Sequence, residues 1–157
     1  MPKLDLSKVP VKTGSIYPEP YASMMKGRSS LRLGDAGGLT QIGVNIVMVE
    51  PGAVSSLRHW HLAEDEFVMV IEGEFIMIQD EGETVMRVGD CATFPAGMAN
   101  GHTFHNRSDK VAKFLVVGSK AEREVATYSD DDLVLEVVRG KSAKFFYKDG
   151  TDWNGIR

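Results

Sequence analysis

The chain has one cysteine, Cys91, so no disulfide can form within it and the fold must stand on its core. It also lacks long apolar runs. The longest, Phe67 to Ile71, is far short of the roughly 20 residues a spanning helix needs, so no membrane partner is expected. The first residues, MPKLDLSKVPVKTGS, contain no apolar stretch of secretory-signal length, and with a lone thiol this makes a reducing cytoplasm the expected location. Positive charge is not in excess. Lys and Arg total 18 against 22 for Asp and Glu, a net of −4, so no basic field invites a nucleic-acid backbone. Internal repeats, low-complexity tracts and Gly/Ser linkers are missing too, which excludes solenoids and strings of independent domains.

What is present is enough for one domain. The 157 residues are 43% hydrophobic and 25% charged, ordinary for a folded globular chain and too apolar for a disordered one. Three textures succeed one another. Residues 1–30 hold Pro2, Pro10, Pro18 and Pro20 and little periodicity, so they read as an extended N-terminal arm. Residues 31–118 alternate short apolar runs with Gly, Pro and Asp, the spacing of an all-β sandwich or barrel. Within them Ile42, Val44, Ile46 and Met48 recur with period two, and Asp80-Glu81-Gly82-Glu83 reads as a hairpin turn. Residues 119–157 form a C-terminal tail expected to pack on the barrel or on a partner subunit: Ala121 to Tyr128 as a helical turn, then two short strands, Leu133 to Val138 and Ala143 to Tyr147.

All four histidines, His59, His61, His102 and His105, fall within this middle region. A spacing of two puts the imidazoles of His59 and His61 on one face only if the backbone is extended. Leu62 to Asp65 would then be a hairpin link, returning Glu66 beside His61 on the adjacent antiparallel strand, with facing Cβ atoms about 4.5–5.5 Å apart. Two imidazoles and a carboxylate in such reach suit a shared cation. For a fourth ligand, His102, His105 and Asn100 all compete, and strand alternation sets His102 and His105 on opposite faces. Against this stand plainer readings: His59 and His61 as hydrogen-bonded barrel histidines, and Glu66 as a solvated hairpin carboxylate. An inward Glu without a cation is costly to bury, which favours ligation. Cys91 reads as a small buried hydrophobe, Arg58 and Trp60 as residues facing away from the pocket, and Met48, Met69, Met77, Met86 and Met98 as core filling.

These residues resemble the cupin superfamily. Its first motif, G(X)5HXH(X)3-4E(X)6G, is similar to Gly52, His59, His61, Glu66 and Gly73, with six residues instead of five before the first histidine. Its second, G(X)5PXG(X)2H(X)3N, is similar to Gly89, Pro95, Gly97, His102 and Asn106, with four residues instead of two before the histidine. The resemblance covers residues 52–106 closely and about 31–118 with the flanking strands. It implies a double-stranded β-helix, a jelly-roll barrel, holding one divalent transition ion (Zn, Fe, Mn, Ni, Co or Cu) on His59, His61, Glu66 and His102. His105 would then lie outside the site. Four protein ligands leave positions open on an octahedral ion, so the resemblance permits a metal-dependent enzyme on a small oxygen-rich molecule, a carboxylate, enol or sugar derivative, of dioxygenase, decarboxylase or isomerase type. It equally permits a non-catalytic binding or sensing module. No second titratable group is legible as an acid or base. The partner expected is a small molecule. A homodimer is also expected, on apolar surface offered by the arm and by Phe145-Phe146-Tyr147.

Overall fold

The computed structural model describes residues 3–157, which leaves Pro2 of the N-terminal segment outside the described residues. Helix is confined to short turns such as α1 (Tyr21–Met24) and α2 (Leu33–Ala36), and no helix among the described residues is long and apolar enough to cross a membrane. The rest is antiparallel β-structure. Its strands are β1 (Val11–Thr13), β2 (Arg28–Arg32), β3 (Ile42–Val49), β4 (His59–His61), β5 (Glu66–Glu72), β6 (Glu74–Gln79), β7 (Gly82–Arg87), β8 (Cys91–Phe94), β9 (Thr103–His105), β10 (Ala112–Ser119), β11 (Arg123–Tyr128), β12 (Val134–Val138) and β13 (Ser142–Phe146).

Two walls face each other. One is a six-stranded sheet in the order β1-β2-β3-β10-β5-β8. The other combines β13-β12-β11-β4 with β7-β6-β9, joined by a backbone bridge in which His59 and His102 exchange hydrogen bonds of 3.2 and 2.9 Å. The period-two runs explain the layering: Val47 and Val49 of β3, Val68 and Val70 of β5 and Phe114 of β10 turn inward to meet Phe75, Met86 and Phe104 of the second wall. Phe75 is fully buried and meets both Phe104 and Phe114 edge-on, an arrangement aromatic rings prefer. The hairpin expected at residues 80–83 is present, with Gln79 facing Gly82 and the glycine at φ 118°, a conformation other residues resist.

The flanking segments are woven into the walls. The segment read as an arm supplies β1 and begins β2, so the boundary drawn at residue 31 falls inside a strand. Its Tyr21 and Met25 are buried in a second core with Leu57, Ala126, Tyr128, Leu133 and Leu135. The C-terminal segment supplies β11 to β13. The helical turn expected over Ala121 to Tyr128 is instead β11: Glu124, Ala126 and Tyr128 are buried in alternation, and burial of one strand face overrides the helix-tolerant composition. Tyr147 is buried against Trp153 of its own chain, so it is not the open apolar surface on which a dimer was expected. Two further expectations are overturned. Cys91 is exposed because β8 is an edge strand, and Met98 is exposed in the loop after β8.

Candidate metal centre

The residues singled out from sequence meet, by a route that differs from the expected hairpin. β4 pairs with β11 and β5 lies between β10 and β8, so Glu66 does not return beside His61 on a neighbouring strand. It reaches the histidines across the interior, from the opposite wall. His59 and His61 share one face of β4, and the backbone bridge sets His102 directly across from His59. Gly101 makes that approach possible: a Cβ there would stand 2.1 Å from Ser129 Oγ.

Three imidazole Nε2 atoms and one carboxylate oxygen converge. His59 Nε2 lies 3.2 Å from His61 Nε2, and Glu66 Oε2 lies 3.3 Å from His61 Nε2 and 3.0 Å from His102 Nε2. One ligand atom from each of the four residues lies within 4.8 Å of every other. Atoms bound about 2.1 Å from a common ion stand about 3.0–3.4 Å apart at octahedral to tetrahedral angles, so this donor set fits a transition ion. His59 Nδ1–H donates to the Leu57 carbonyl at 2.8 Å, which leaves the Nε2 lone pair of the neutral ring facing the cluster. Nδ1 of His61 and of His102 is buried without a partner among the described residues. The His102 ring is held by packing, stacked on Phe94 at 3.6 Å between centroids.

The electrostatics match a site built to take a cation. Burial, with His102 and His61 alongside, pushes His59 down to about 3, so its imidazole stays neutral. Burial alone would raise Glu66, but hydrogen bonds with His102 and His61 outweigh it and hold the carboxyl well below the usual carboxylate range. Burial also opposes charge on His61, yet contact with Glu66 raises it. In metal-free protein the unfolded chain binds a proton at His59 between pH 6.5 and about 3 that the folded chain refuses, so stability falls as pH drops through that window. Glu66 adds loss in the same direction below its ordinary value, and His61 acts in the opposite sense with the smaller displacement. The melting temperature of chelator-treated protein is therefore expected to decline steadily from pH 7 to pH 4. A flat profile would show that His59 is not held neutral.

The competing residues lie elsewhere. Asn100 is engaged at the β6–β7 turn, donating to Glu81 and accepting from the Asp80 amide, and His105 is half-buried on β9 beside Arg107 and Glu83. Arg58 points outward to Asp130 and Asp80, as strand alternation predicts. The cluster opens into a cavity of about 620 Å³ whose lining includes Tyr17, Arg28, Arg32, Glu64, Lys120 and Arg139, none of them singled out from sequence. Glu124 went unrecognised as well. It is 4% exposed and accepts hydrogen bonds from the amides of Leu62 (2.8 Å), Ala63 (3.2 Å) and Val125 (2.7 Å), fixing the link that follows His61. Strand periodicity could have revealed Arg28, Ser30 and Arg32 as one polar face.

Residues 45–118 match the family model of the Cupin domain. A sugar phosphate isomerase of the cupin superfamily from Silicibacter pomeroyi has 52% sequence identity to this chain, covering 98% of each, with a TM-score of 0.95. The chain belongs to the cupin superfamily. A putative sugar phosphate isomerase from Acidithiobacillus ferrooxidans is 25% identical over 90% of this chain and 96% of its own, with a TM-score of 0.72. A predicted oxalate decarboxylase from Thermotoga maritima, 18% identical over 76% of this chain and 99% of its own (TM-score 0.57), shares the fold. No curated protein matches. The two departures in motif spacing are absorbed in loops before β4 and before His102, and the cupin ligand positions still converge.

Proposed function

We propose that this cupin is a metal-dependent isomerase of a small phosphorylated sugar, with His59, His61, Glu66 and His102 holding one divalent transition ion. The observation that carries the reading is the placement of the His/Glu cluster inside a 620 Å³ cavity that also bears cationic and proton-holding side chains. Similarity to a sugar phosphate isomerase at 52% identity supports the substrate class. A bound divalent ion would supply Lewis-acid polarisation of the substrate's oxygens.

The chain's own residues supply the rest. Interconverting an aldose and a ketose moves hydrogen between adjacent carbons and between adjacent oxygens, which calls for a group able to take and return a proton. Glu64 is placed for it. Burial raises its pKa above the ordinary carboxyl value, Oε1 is held by the Ala121 amide at 2.9 Å and by Arg139, and Oε2 has no partner among the described residues. The phenol of Tyr17, also raised by burial, lines the same cavity and stays protonated as a hydrogen-bond donor.

The test is to load the protein with each candidate ion and follow five- and six-carbon sugar phosphates by NMR. Aldose–ketose interconversion is expected, reduced about a hundredfold or more in Glu66→Ala. Tight retention of a sugar phosphate without interconversion under any ion would instead favour the binding or sensing module.

A further inference from the structure

Arg28 is a half-buried guanidinium on the cavity wall whose positive charge meets no carboxylate among the described residues. Its Nε donates to the Ser55 carbonyl at 2.8 Å, and its two terminal nitrogens make no hydrogen bond among the described residues. The other cations of the cavity divide into two sets. Lys120 is neutralised by Asp35 at 3.0 Å and Arg139 by Glu64, whereas Lys12 and Arg32 have no acidic partner among the described residues. Lys12, Arg28 and Arg32 all come from the paired strands β1 and β2, and Arg28, Ser30 and Arg32 alternate onto the cavity face of β2. A chain of net charge −4 thus gathers three cations without an acidic partner among the described residues on one wall of this cavity. Burying a charge without a counter-ion is costly, and burial indeed disfavours the charged form of Arg28. The missing partner has the chemistry of an oxyanion, which a planar guanidinium grips through paired N–H donors.

The place of this pole relative to the His/Glu cluster is set by the sheet. β2 and β5 are separated by β3 and β10, so at matched register their backbones lie no more than three strand spacings, about 14 Å along the wall, apart. The register runs Arg32 to Asn45 to Val116 to Val68, two residues from Glu66 on the same face. Tyr17 lies near enough to both poles to feel the positive charge of Arg28 and the negative charge of Glu66.

We infer that Arg28, flanked by Arg32 and Lys12, forms a dedicated oxyanion pole that anchors the phosphate or carboxylate end of the substrate, while the reacting oxygens face the His/Glu cluster. The inference rests on the reading of the cavity as a substrate site and deepens it: substrates without a terminal oxyanion would be rejected.

Isothermal titration of inorganic phosphate, and separately of acetate, into the protein as purified and into four variants tests it. Phosphate is expected to bind the wild-type and His59→Ala proteins with affinities equal within about twofold. Loss of one charged, hydrogen-bonded anchor in Arg28→Gln should weaken binding about tenfold or more, with partial recovery in Arg28→Lys and decline as salt is raised. Arg32→Gln, at an exposed position that cannot unfold the protein, should weaken it a few-fold. Acetate binding more tightly than phosphate under the same Arg28 dependence identifies a carboxylate as the anchored group. Unchanged phosphate affinity in Arg28→Gln and Arg32→Gln overturns the proposal, as does binding lost in His59→Ala but kept in Arg28→Gln. If sugar phosphates are interconverted and Arg28→Gln leaves KM unaltered, the oxyanion pole falls and the isomerase reading stands. Arg28-dependent phosphate binding without turnover separates them the other way.

Discussion

Glu66→Ala and His59→Ala proteins are expected to retain less than about a tenth of an equivalent of transition ion after dialysis, whereas His105→Ala keeps about one equivalent per chain. Glu66 is the one carboxylate in the four-residue cluster, so its removal takes away both a ligand atom and the negative charge that offsets a divalent ion. His59 differs from the other histidines in having its Nδ1–H tied to a main-chain carbonyl, which presents Nε2 as a ready lone pair. Loss of either should cost far more than the 10- to 100-fold penalty of disturbing a residue that merely supports a ligand. His105 sits on β9 away from the cavity and serves as the control. Elemental analysis of the three proteins, prepared side by side, reads the result. Full occupancy in Glu66→Ala and His59→Ala would remove the metal centre from the account.

The second large effect is expected from a residue that touches no substrate. Glu124→Ala removes the acceptor for the amides of Leu62, Ala63 and Val125, and with it the brace on the link between β4 and β5. The Leu62 amide keeps the Val125 carbonyl as an acceptor at 2.9 Å, so the loss falls on Ala63 and Val125. Each buried donor left unpaired costs about 1–3 kcal/mol, and water can partly replace the carboxylate at exposed Ala63, so a total of about 2–4 kcal/mol is expected. At this chain length that lowers the melting temperature by roughly 5–15 °C, measurable by calorimetry. The same link sets the position of His61, so ion affinity should fall about 10- to 100-fold even where the protein stays folded. Glu124→Gln keeps one acceptor oxygen and should recover part of both losses. Retention of wild-type ion affinity in a folded Glu124→Ala protein would show that β11 alone holds His61 in place.

The barrel and three members of the His/Glu cluster were legible because both are written in local pattern, whereas His102 was set apart from His105 and Asn100 only by the resemblance to cupins. Period-two runs announce strands, and HXH on extended backbone with a following Glu announces a cluster before any pairing is known. What could not be read was which wall each strand joins. A short link between β4 and β5 looks like a hairpin, but His59 to His61 is paired by β11, more than 60 residues later, and Glu66 by β10. Long-range pairing is set by which faces must be buried together, information spread over the whole chain. The cationic pole escaped for a related reason. The proline-rich texture of residues 1–30 placed a boundary inside β2, between Arg28 and Arg32, and hid their shared face. Glu124 was masked by a helix-tolerant neighbourhood, and only alternate burial along β11 shows that it points inward.

One further consequence follows from how the four clustered side chains are distributed. The imidazoles belong to one wall and the carboxylate to the other, so a bound cation would also act as a rivet through the sandwich. Prising the sheets apart and releasing the ion would then be one event, and chelation would loosen the molecule along this seam before any other.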